Sequence, residues 1–187
     1  APDLHCKGSS ELRMTFPLIA GIESSMGGFS MRKHVKSYLM WILLCEGMGV
    51  LAAFLAKNGI DAFRSDAVKP PFSPPGILFP VVWTILYALM GISAARIILA
   101  SPNADRSTGL NLFIGQLTFQ FFWTLIFFNG KNYGLALFWI EILWVLIALM
   151  ILSFRKTDTL AALLQIPYLL WATFAFFLNA AVWKLNC

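Results

Sequence analysis

Five long apolar runs punctuate the chain, at about 38–56, 77–100, 110–129, 133–154 and 160–183, separated by short polar stretches. Each is close to the ~20 residues that a tilted helix needs to cross the hydrocarbon of a bilayer. Inside that layer the backbone must satisfy its own hydrogen bonds, so a spanning segment is a helix or a strand of a closed barrel. The runs are continuous and lack the alternation of barrel strands. The pattern therefore predicts an all-α integral membrane protein, a bundle of five transmembrane helices. Short turns follow the second, third and fourth runs, at Ser101–Asp105, Asn129–Asn132 and Arg155–Asp158, and short connections make neighbouring helices antiparallel.

Three stretches depart from this regular plan. Lys57 to Gly76 is a connection of about 20 residues with four prolines, in the run Lys69-Pro70-Pro71-Phe72-Ser73-Pro74-Pro75-Gly76. A connection of this length is usually functional or disordered, and it is expected here to be a lid-like loop over a binding site. Residues 1–30 mix Gly, Ser, Pro and charges around an apolar patch too short to span, so they are expected to be a flexible leader, an expression scar or an upstream extension. The membrane domain is expected over 31–187. In the fifth run, Pro167 removes one backbone donor and is expected to kink the helix.

Composition agrees with the pattern. The chain is 59% hydrophobic and 12% charged, against about 45–50% and 25% for a soluble domain, which excludes an ordinary water-soluble globule. The net charge of +5 is scattered through the loops and forms no stripe for nucleic acid; it is expected to face lipid headgroups. Cys6, Cys45 and Cys187 are far apart and odd in number, and neither His5 nor His34 lies in an apolar run. No disulfide framework or metal site is expected. Seven basic residues on the amino-terminal side against five opposite lean towards a cytoplasmic amino terminus.

Aromatic and polar residues within the runs carry the candidate chemistry. Tyr38, Trp41, Tyr133 and Trp183 lie near run ends, where amphipathic rings suit the interface, whereas Trp83, Trp123, Trp144 and Trp171 lie deeper and need a partner for the indole N–H. Helical spacing puts Gln116, Gln120, Trp123, Thr124 and Phe127 on one face, Trp83 and Tyr87 on another, and Tyr168, Trp171, Ala175 and Asn179 on a third. These stripes either line one cavity or join helices through amide hydrogen bonds. Glu46 and Glu141 lie within apolar runs, where carboxyl groups are rare and functional candidates. Gly49/Ala53, Ala52/Ala56 and Gly91/Ala95 are small-residue pairs that serve either the bundle or a dimer. No phosphate loop, dinucleotide fingerprint or Ser–His–Asp set occurs.

The Lys69–Gly76 run, the run Trp83-Thr84-Ile85-Leu86-Tyr87-Ala88-Leu89-Met90-Gly91, and the run Ile166-Pro167-Tyr168-Leu169-Leu170-Trp171-Ala172-Thr173-Phe174-Ala175 with Leu178-Asn179 resemble the TspO/MBR family of tryptophan-rich sensory and translocator proteins. The resemblance covers about residues 38–186. It implies a five-helix bundle, often homodimeric, in a bacterial or archaeal cell membrane, with a pocket beneath the first loop for a porphyrin or another lipophilic molecule. Family pocket positions fall on Pro74, Trp83, Tyr87, Trp123, Thr124, Trp171 and Ala175. With Gln120, Phe127, Tyr168 and Asn179 from the helical stripes they form the expected ligand site, with porphyrin as ligand and no required cofactor. If the activity is light-dependent porphyrin degradation, as in some family members, Trp83 and Trp171 are the catalytic candidates; transport of a lipophile is a third reading. The chain departs from the family at Phe63, Phe72 and Ile77, where Trp is usual, at Gln120, where Asn is usual, and at Ala180, where the sterol-recognition pattern has Tyr.

Overall fold

The computed structural model describes the backbone of residues 16–187 and the side chains of residues 34–187. The described residues form seven helices: α1 Phe16–Leu55, α2 Lys57–Asp66, α3 Leu78–Leu99, α4 Ala104–Phe128, α5 Tyr133–Thr157, α6 Thr159–Leu163 and α7 Ile166–Asn186. Five stretches are long and apolar enough to cross a membrane, His34–Leu55, Leu78–Leu99, Ala104–Asn129, Tyr133–Thr157 and Thr159–Asn186. The protein is an integral membrane bundle of five spanning segments. The chain divides into Ala1–Ser37 and Tyr38–Cys187, and the bundle belongs to the second unit. Of the expected leader, 1–15 lie outside the described residues, and α1 begins within the rest of it at Phe16.

The helices are apolar on nearly every side because two different surroundings have to be satisfied. Inward residues such as Phe113, Ile140, Ile147, Met150 and Phe154 are fully buried, with Phe113 stacked on Phe154 at 6.3 Å. Outward residues such as Leu43, Val81, Phe138 and Leu170 are exposed, a surface suited to lipid rather than water. α4 packs along α5, and α5 along α7. Glycine permits the close approach of α1 and α3: a Cβ on Gly91 would strike the backbone of Ile42, and one on Gly49 would strike the Tyr87 ring. Gly49 and Gly91, left between bundle and dimer by their spacing, thus serve packing inside the bundle.

Three expected elements differ from those observed. The connection 57–76 is not loop throughout, because α2 occupies its first half. Ile60 and Phe63 give α2 an inward face, and Phe63 packs on Phe127, Phe128 and Tyr133 with centroids 5.3, 5.5 and 6.3 Å away. The third span starts at Ala104 rather than about 110, since the Asn103 carboxamide accepts the Arg106 N–H at 2.6 Å and caps a polar first turn. The fifth span is divided at Leu164–Gln165 into α6 and α7, and Pro167 falls in the first turn of α7. A missing N–H is harmless there, so Pro167 starts a helix instead of kinking one. Asp158 caps α6 through the Ala161 N–H at 3.0 Å and pairs with Arg96 of α3 at 2.8 Å, while Ser93 donates to the Ala161 carbonyl at 2.8 Å.

Candidate functional site

α1, α3, α4 and α7 leave a cavity of about 640 Å³ between them, bordered on one side by α2 and the proline-rich stretch. α3 contributes Phe79, Trp83, Thr84 and Tyr87; the spacing of the last three along α3 brings them to the cavity, and Trp83 lies 5.3 Å from Tyr87. α4 contributes Gln120, Trp123, Thr124 and Phe127, with Trp123 stacked on Phe127 at 5.2 Å. α7 contributes Trp171, Ala175, Leu178 and Asn179, and Trp171 meets Phe79 edge-on at 5.9 Å. Pro74, Lys69 and Arg64 border the cavity from the connection.

Ten of the expected site residues therefore share one wall system: Pro74, Trp83, Tyr87, Gln120, Trp123, Thr124, Phe127, Trp171, Ala175 and Asn179. Tyr168 does not line it. Tyr168 is fully buried behind Trp83, at 6.2 Å between rings, and its hydroxyl donates to the Gln116 side-chain oxygen at 2.9 Å. The stripe through Gln116 thus splits by depth into a structural pair, Gln116–Tyr168, and cavity residues from Gln120 onwards.

Polar groups in the wall are unevenly satisfied. The Thr124 hydroxyl is occupied, donating to the Gln120 carbonyl at 3.2 Å. The Trp123 indole N–H and both amide atoms of Asn179 are buried and have no hydrogen-bond partner among the described residues. Buried polar atoms are nearly always hydrogen-bonded, so these three atoms are open hydrogen-bonding capacity in residues of the cavity wall. Among the described residues no three His, Cys, Asp or Glu side chains converge.

The remaining candidates separate clearly. Glu46 faces the cavity from α1, whereas Glu141 is exposed on the outside of α5. Trp144 is also on the outside, where its indole donates to Thr173 Oγ1 at 2.9 Å. Trp41, expected in the interfacial belt, instead packs edge-on against Phe113 at 6.0 Å with its N–H buried. The α1 wall was hidden in the sequence: Gly49, Ala52 and Ala53 line the cavity, yet they read only as packing pairs. The available signal was the series Glu46, Gly49, Val50 and Ala53, which falls on one helical face. On the membrane side, a shallow groove between α3 and α7 is formed by Val82, Ile85, Leu86, Pro167, Leu170 and Trp171. Trp171 belongs to both groove and cavity.

A model of the TspO/MBR family matches residues 41–184. The chain belongs to this family. It is 32% identical to the Tryptophan-rich protein TspO of Chlorobaculum tepidum over 83% of this chain and 99% of the relative. It is 33% identical to Protein CrtK of Rhodobacter capsulatus over 80% and 92%, and 31% identical to the Translocator protein of Ovis aries over 63% and 71%. Within the TspO/MBR match fall α2, the proline-rich stretch and every cavity residue named above.

Proposed function

We propose that this TspO/MBR protein is a membrane receptor that holds a flat, lipophilic tetrapyrrole of the porphyrin type in the aromatic cavity and serves a sensory or regulatory role. The carrying observation is the convergence of Trp83, Tyr87, Trp123, Phe127 and Trp171 on one space of about 640 Å³, within the range of small-molecule sites. Ring faces favour stacking against a planar ligand, and Arg64 and Lys69 at the border suit acidic side chains on its edge. A bacterial or archaeal cell membrane is the setting we propose, supported by the fuller coverage of the bacterial and archaeal relatives.

Titration of the purified protein with protoporphyrin, followed by tryptophan quenching, tests this reading. Saturable quenching, weakened about tenfold or more in Trp83→Phe and Trp171→Phe, is expected from the loss of stacking and indole contacts. Linear, unsaturated quenching, or curves unchanged in both variants, would overturn the assignment. Trp83 and Trp171 on one cavity also favour light-driven oxidation of the bound ring, with dissolved dioxygen as the oxidant that is reduced, as a second reading. It expects illuminated porphyrin to be lost faster than in empty detergent micelles, and equal loss sinks it.

A further inference from the structure

Glu46 is the one acidic side chain among the described residues that border the cavity, where it stands with the cations Arg64 and Lys69. It lies nine residues before Leu55, the last residue of α1, which is about 14 Å along the helix axis. That depth is well inside a spanning segment. Glu46 joins none of the ion pairs formed among the described residues. Its helix neighbours on the cavity are Gly49, Val50 and Ala53, too small or too apolar to offer it a hydrogen bond.

The two cations stand apart from it in the fold. Arg64 is on α2, paired with Asp61 at 3.6 Å, and Lys69 follows it, donating to the Arg64 carbonyl at 2.8 Å. Both belong to the connection after α1, whereas Glu46 is more than two turns back down α1. The opposite wall offers Gln120 and the unpartnered Trp123 and Asn179 atoms. The cavity therefore has basic groups on the connection after α1, a carboxyl group on α1 itself, and unmet hydrogen-bonding capacity on α4 and α7.

We propose that Glu46 is a specificity residue that receives an N–H donor or ammonium group at the buried end of the ligand. Among the described residues Glu46 pairs with neither Arg64 nor Lys69, so a donor brought by the ligand would stabilise a carboxyl group at this depth. The ligand class is a flat aromatic molecule with a basic or N–H-bearing end directed to α1. The inference rests on the cavity being a ligand site and extends the functional reading to the chemistry of the ligand's buried end.

The test compares two probes that differ at one group, 1-pyrenemethylammonium and 1-pyrenemethanol. Both are titrated into the full chain in zwitterionic micelles and followed by energy transfer from tryptophan. The ammonium probe is expected to bind about tenfold tighter, since a charge-assisted hydrogen bond outweighs a neutral one. Glu46→Gln is expected to abolish the preference, with an unfolding midpoint in micelles close to the parent's reporting that the variant is folded. Glu46→Asp, with the carboxyl group drawn back by one methylene, is expected to retain part of the preference. Glu141→Gln, which alters the outward-facing acid, is expected to leave it whole. Equal binding of the two probes to the unaltered protein, a preference that survives Glu46→Gln, or saturation by neither probe overturns the proposal. Protoporphyrin titrated in parallel separates the two ideas: no porphyrin binding with the amine preference intact removes the tetrapyrrole reading alone.

Discussion

At the scale of single residues, the polar side chains of the bundle divide into those that hold the protein together and those left open to the cavity. Tyr168 and Gln116 belong to the first group. Tyr168→Phe leaves the Gln116 oxygen without its buried donor, a loss of about 1–3 kcal/mol. A lower unfolding midpoint in detergent is expected, with the cavity-facing rings unchanged; a variant as stable as the parent would show that water replaces the hydroxyl. Asp158, outside the spanning segments, is also structural. Burial pushes its carboxyl up, but the Ala161 N–H and the Arg96 guanidinium outweigh this and hold it below the usual carboxylate range. The folded value being the lower one, this contribution is fully present above the unfolded value of about 3.9 and disappears as pH falls through the folded value. Unfolding midpoints followed from pH 6 to 3 should fall more steeply for the parent than for Asp158→Asn, which retains a capping oxygen but has no proton to gain. Parallel curves would remove Asp158 from the acid response. The aromatic stripes on α3, α4 and α7 were legible from spacing alone. The exclusion of Tyr168 was not, because periodicity gives the face of a helix and says nothing of which ring stands behind another.

At the scale of elements, the five spans were plain in the sequence because bilayer thickness sets their length, while the short helices were not. α2 is ten residues long and its inward face rests on Ile60 and Phe63, too few apolar positions to stand out beside four prolines. The break before α7 was hidden for the opposite reason: the apolar run continues through it, so only Gln165 and the first-turn Pro167 mark a new helix start. The crossing of α1 and α3 depends on Gly91, and Gly91→Val places a branched side chain where the Ile42 backbone lies. A destabilisation of about 1–3 kcal/mol or more is expected, read as a lowered denaturation midpoint in micelles. Gly47→Val, on the same helix as Ile42 but with nothing near its Cβ position, is the matched comparison. Valine is a better helix former than glycine, so similar losses in both variants would mean that the added side chain costs stability independently of the crossing.

At the scale of the whole molecule, the cavity border is held to the far end of the chain. The Asn186 carboxamide accepts the Val68 N–H and donates to the Val68 carbonyl, each at 2.9 Å, so the stretch leading to Pro74 is pinned to the end of α7. Asn186→Ala removes both bonds. Faster amide exchange at Val68 and faster release of a bound ligand are expected, with the unfolding midpoint little changed; exchange at the parent rate would show that the prolines alone fix the stretch. The position of Trp171 has an optical consequence. Trp171 lines both the cavity and the lipid-facing groove of Val82, Ile85 and Leu170. Emission from this single residue therefore registers two media at once, dimmed from within by an occupant of the bundle and from without by a heavy-atom label on a neighbouring acyl chain.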